Sequence, residues 1–183
     1  MNTTLKYGLI SGLIIAIGQL IAHYANFELS QGGLIGFGFP LVVSIIAMVM
    51  GVKQETKNQE GFISFGEALK TAFLIFLIAV LVVNVISFIQ MKTWSDETWQ
   101  ELSDISKANA IASAEYVTDL LGVEMPEEAE EQMEEELEKL DVEYLKESTT
   151  SIGSILFVIF ILSIAGLIIS LIISAIMKKD PMP

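Results

Sequence analysis

Four long apolar runs constrain this chain more than any other feature. They cover about Leu5–Ala25, Gly32–Val52, Ala68–Met91 and Ile152–Met177. Each supplies the ~20 residues that a helix rising 1.5 Å per residue needs to cross the hydrocarbon of a bilayer. A soluble helix interrupts its apolar stripe with polar residues at every turn, and these runs do not. Only helices or closed barrels satisfy their backbone groups inside lipid, and runs of this length are helical. The expected fold class is therefore all-α: an integral membrane bundle of four transmembrane helices, with an acidic helical extension between the third and fourth. The chain divides into residues 1–91 with the first three helices, an extracytoplasmic loop at 92–151, and 152–183 with the fourth helix and a short cytoplasmic tail.

Two runs need closer reading. Lys6 ahead of the first run fits a signal peptide. The run is too long, however, and Ala22 and Ala25 lack the A-x-A spacing, so it reads as a retained helix. In the second run Pro40 and four glycines (Gly32, Gly33, Gly36, Gly38) crowd the first half. A helix starting at Pro40 is too short to span. A spanning helix must include Pro40 and is expected to bend there, and a re-entrant segment is the alternative.

Charge is distributed unevenly. The net charge is −13, yet residues 92–151 hold 18 acids against 4 lysines, and the rest of the chain 5 acids against 6 lysines. Lys6, Lys53, Lys57, Lys70, Lys178 and Lys179 flank one set of helix ends, and the loop between the first two runs has no lysine. The positive-inside rule then puts both termini and the loop between the second and third helices in the cytoplasm, with the acidic extension outside. Tyr24, Phe27, Phe88 and Trp94 are placed near the outer interface, and Tyr7, Phe62 and Phe65 near the inner one.

Whole classes of chemistry lack their residues. There is no cysteine, and His23 is the single histidine, which leaves little for a zinc site or a Ser-His pair. Every basic residue is lysine, so the bidentate grip of arginine on phosphate is missing and nucleic acid is not an expected partner. No ionisable residue lies deep in a span; Glu67 and Lys70 sit at the mouth of the third. The reading is of no catalytic residues, no metal site and no cofactor.

The polar groups at depth are neutral. Gln19 and Asn84 fall at one depth, an intramembrane polar pair able to hydrogen-bond across the first and third helices; a role in conduction is the sharper alternative. Gly8, Gly12 and Ala16 recur every four residues, as do Gly166, Ser170 and Ser174. Such small faces let helices approach closely, and they suggest that the first and fourth helices pack together or that one of them dimerises.

In the extension, Ser95 is a plausible N-cap of a helix ending at Leu121 before Gly122. Pro126 opens a second helix, in which Ala129, Met133, Leu137, Leu140 and Tyr144 form a narrow apolar seam among glutamates. A solvated face explains the acids; binding of calcium or magnesium is the sharper reading, without the D-x-[DN]-x-[DN]-G loop of a defined site.

"GFISFGEALKTAF" is the most distinctive stretch. Ser64 and Glu67 form an S-x-x-E capping box that starts the third helix at a fixed depth. Together with "LKYGLISGLI" at Leu5–Ile14, "MGVKQ" at Met50–Gln54, its own extension to Ala79, and "GLIISLIISAIMKK" at Gly166–Lys179, it resembles the family called domain of unknown function 4199. These are small multi-spanning bacterial proteins typical of Bacteroidota. The chain departs at Glu55, where an aromatic is expected. The resemblance implies four membrane helices and a bacterial inner membrane, and supplies no activity or catalytic residues. The expected function is that of a non-enzymatic membrane-assembly or envelope interaction protein. Its partners would be the lipid bilayer and either a second copy or an envelope protein docked on the acidic helix Pro126–Lys146. A small transporter or channel component is the alternative.

Overall fold

The computed structural model describes residues 2–26, 34–122 and 126–179. Phe27, Gly32 and Gly33 lie outside the described residues, as do the side chains of Glu127, Glu128 and Glu130. The elements are α1 (Thr3–Ala25), a π-helical turn (Leu34–Gly38), α2 (Phe39–Asn58), α3 (Phe65–Met91), α4 (Asp96–Leu121), α5 (Glu127–Lys139), α6 (Val142–Thr150) and α7 (Ile152–Met177). Among the described residues the fold is all-helical, and four helices are long and apolar enough to cross a membrane: Thr3–Ala25, Gly36–Asn58, Phe65–Met91 and Ile152–Met177. The chain forms two compact units. One holds α1, α2, α3 and α7, and the other, residues 90–154, holds α4 to α6.

The second span reaches its length in a way the sequence hides. The α-helix proper begins at Phe39, with Pro40 in its first turn. The π turn carries the helical path back to Leu34. At the position expected to bend, the structure has a change of register from π to α.

The core of the membrane unit gathers around Met48 and Val52 of α2, Ile63 of the following loop, Ala68, Ala72, Ile75 and Phe76 of α3, and Ile173 of α7. Toward the other end side chains turn outward: Ile21, Val85, Ile89 and Leu156 are all exposed. On α7 Gly166, Ser170, Ile173 and Ser174 are buried. Phe157, Phe160, Ile168 and Ile176 stand outward on the same helix. So much uncovered apolar surface on one helix is stable in lipid and not in water.

The small-residue faces meet a different partner from the one expected. A Cβ on Gly8 would lie 2.7 Å from Ile78 Cβ, and one on Gly12 2.7 Å from Val82 Cβ, both on α3. A Cβ on Gly166 would collide with the ring of Phe76, also on α3. Gly8 and Gly12 of α1 and Gly166 of α7 thus each lie against α3. Ala16, on the same face of α1, is buried as well. The serines of these faces bond within their own helices: Ser11 Oγ donates to Tyr7 O, Ser170 Oγ to Gly166 O, and Ser174 Oγ to Ser170 O. They act as small residues with satisfied hydroxyls, which lets helices close together without an orphan donor in lipid.

The unit of α4 to α6 has a small core of its own in Trp99, Ser103 and Leu145. Ser95 caps α4, its side chain accepting from Thr98 N, and Gly122 ends the helix in the left-handed conformation at φ 63°. The acidic helix is not continuous. It stops at Lys139, and Asp141 caps a new helix by accepting from Tyr144 N at 2.7 Å. An aspartate offering a backbone N–H a side-chain acceptor competes with helix continuation, and here it wins.

Candidate functional site

A cavity of about 360 Å³ opens inside the membrane unit. Its walls come from all four spanning helices and the π turn. Gln19 of α1, Ser44 of α2 and Asn84 of α3 are its polar lining, and Phe37, Pro40 and Phe76 are among its apolar lining. None of the described lining residues is ionisable. The π turn contributes Gly36 and Phe37 to this wall, just before Pro40.

Gln19 and Asn84, expected as an amide pair, do line one space. They are not bonded to each other among the described residues. Asn84 Nδ2 donates to Val80 O, one turn back in its own helix, at 2.9 Å. That leaves its Oδ1 and second N–H for whatever occupies the cavity.

The lysine-bearing end of this unit is closed by a second set of contacts. Ser64 and Glu67 form the full capping box: Ser64 N and Ser64 Oγ donate to Glu67 Oε2 at 3.1 and 2.8 Å, and Glu67 N donates to Ser64 Oγ at 3.3 Å. One residue earlier, Ile63 exchanges two backbone hydrogen bonds with Lys179, at 3.1 and 2.9 Å, in an antiparallel bridge. Asn58 Nδ2 donates to Thr3 Oγ1 at 3.2 Å. The start of α1, the end of α2, the start of α3 and the end of α7 are therefore held together at one end. Lys6, Lys53, Lys57, Lys70, Lys178 and Lys179 belong to these helix ends. Glu60 at φ 58° and Gly61 at φ 96° make the turn that delivers Ile63 to the bridge. Sequence reasoning did not find the bridge, because a two-residue pairing leaves no periodic trace. Its one signal was that the stretch Gly61–Ala79 begins, and the stretch Gly166–Lys179 ends, where the bridge forms.

In the unit of α4 to α6, Ser103 Oγ donates to Leu140 O, and Lys146 Nζ meets Asp96 Oδ1 at 2.6 Å. The Lys146 ammonium, through its hydrogen bond and then its charge, holds the Asp96 carboxyl below the ordinary aspartate value. Met133, Leu137, Leu140 and Tyr144 line a cavity of about 350 Å³ with Ala110 of α4, so the seam of the acidic helix faces α4. Farther along α4 Tyr116, Val117 and Leu120 are 67, 50 and 70% exposed.

Among the described residues no three metal-ligating side chains come together. No curated protein and no solved structure matches the chain. A family model does, over residues 6–179, and with nearly its whole length covered the chain belongs to the family described as Protein of unknown function (DUF4199).

Proposed function

We propose that this chain is a non-enzymatic, multi-pass protein of the bacterial inner membrane that uses α4 to α6 to hold a partner outside the membrane. The observation that carries this reading is the uncovered stripe Tyr116, Val117 and Leu120 on a unit that already has its own core. These residues share one face at i, i+1 and i+4, flanked by the exposed acids Glu115 and Asp119. An apolar stripe in an acidic frame suits a partner surface that is apolar at its centre and basic at its rim. The six lysines at the opposite helix ends support an arrangement with both termini in the cytoplasm.

The test is purification of the tagged chain from its native membrane in mild detergent, with mass spectrometry of what accompanies it. A stoichiometric partner should be present, and should be lost when Tyr116→Ser and Leu120→Ser are combined. A chain that purifies alone sinks the reading of a partner protein.

The cavity favours a second reading, a small transporter or channel component in which the π turn and Pro40 are the moving part. Combining Tyr116→Ser and Leu120→Ser separates the two, because transport would survive it and docking would not.

A further inference from the structure

We infer that the cavity between the four spanning helices is a binding site for an uncharged amphiphile, a molecule with a hydroxyl or carbonyl head on an aliphatic body. The inference stands apart from the docking reading, since every residue it uses lies in the membrane unit.

The volume of about 360 Å³ lies at the small end of the ~300–1,000 Å³ that small-molecule sites occupy. Apart from Gln19, Ser44 and Asn84, every described lining residue is apolar. A charged ligand would meet no countercharge there, at a depth where an unpaired charge is costly. A purely aliphatic ligand would leave the amides facing hydrocarbon. Gln19 makes no side-chain hydrogen bond among the described residues, and Asn84 keeps an acceptor free after its bond to Val80 O. Both amides are half-buried, so a ligand in the cavity can reach them. In lipid no bulk water is at hand to satisfy them, and a neutral head group with one donor and one acceptor does so. The remaining walls, from Ile15, Phe76, Val83, Leu162 and Ile169, suit an aliphatic body. An entry route exists at the π turn, where Phe37 is 75% and Leu41 45% exposed although both line the cavity.

The test uses the full chain in phosphatidylcholine nanodiscs and a probe of stated chemistry, an eight-carbon alcohol carrying a diazirine. After illumination, adducts are mapped by peptide mass spectrometry. Adducts should concentrate on Pro40, Leu41, Val83 and Leu162, and excess plain octanol should remove them. Labelling of the outward residues Phe157 and Phe160 should not be competed. A diazirine probe of the same length without the hydroxyl should show no preference for the cavity. Replacing Gln19→Leu and Asn84→Leu should lower cavity labelling by roughly two- to ten-fold for each hydrogen bond lost. Cavity labelling equal to that of Phe157, not competed by octanol, overturns the site. Equal labelling by the two probes overturns the head-group recognition. The probe comparison uses the unaltered chain, so the test stays decisive if the leucine variants fail to fold.

Discussion

The glycines show most plainly what a single residue does here. A Cβ on Gly12 would meet Val82 Cβ at 2.7 Å and the Cα of Ala79 at 3.1 Å, and backbone cannot swing aside as a side-chain tip can. Gly12→Ala should therefore cost about 1–3 kcal/mol through overpacking, despite alanine's better helix propensity. A Cβ on Gly153 would meet nothing within 4 Å, and Gly153→Ala should be neutral or gain up to about 1 kcal/mol. Reversible unfolding in mixed SDS micelles measures both, and equal effects would refute the close approach of α1 to α3. The spacing of Gly8, Gly12 and Ala16 announces a small face in the bare sequence. It does not announce which helix lies against it. Periodicity defines a direction on one helix, whereas the partner is chosen by the packing of all four. The same limit applies to Gln19 and Asn84. Equal depth was legible, and the intervening space was not, because residues of all four spanning helices enclose it.

At the scale of elements, starts and stops with side-chain chemistry were readable, and those built from backbone register were not. Ser95, Gly122 and the Ser64–Glu67 box occupy the positions their chemistry implies. The interruption at Asp141 was masked by an apolar seam that continues through it from Leu137 to Tyr144. Past that interruption α6 is tied to the start of α4 by Lys146 and Asp96. This pair adds a small acid-sensitive contribution to the unit. Asp96 has a folded-state pKa below its ordinary 3.8. Its contribution is complete above the unfolded value and is lost as pH falls through the lowered one. Acidification below about pH 4 should therefore loosen α6 from α4. Asp96→Asn should remove that part of the response while leaving neutral-pH helicity nearly intact, since Asp96 is 92% exposed and such pairs are weak and screened by salt. Hydrogen exchange of α6 amides between pH 3 and 6 should show the difference; an identical profile for the variant would exclude the pair as its source.

For the molecule as a whole, the closed end determines which way the chain should thread. The contacts of Asn58 with Thr3 and of Ile63 with Lys179 gather four helix ends and their lysines at one face of the membrane unit. From there α3 runs away to Met91, where the chain passes into the acidic unit, and α7 returns from Ile152. Lysines retained on the cytoplasmic side and acids carried across form the arrangement that costs least during insertion, because positive charge is what resists translocation. The absence of native cysteine makes this directly measurable. Gln132→Cys lies on the exposed surface of α5, and Gln54→Cys on the exposed last turns of α2. An impermeant maleimide applied to cells with a permeabilised outer barrier should modify Gln132→Cys and spare Gln54→Cys until the inner membrane is lysed. The reverse pattern would put the lysine face outside and the acidic unit in the cytoplasm. It would remove the envelope partner from the proposal and leave the cavity, whose residues lie between the two faces, untouched.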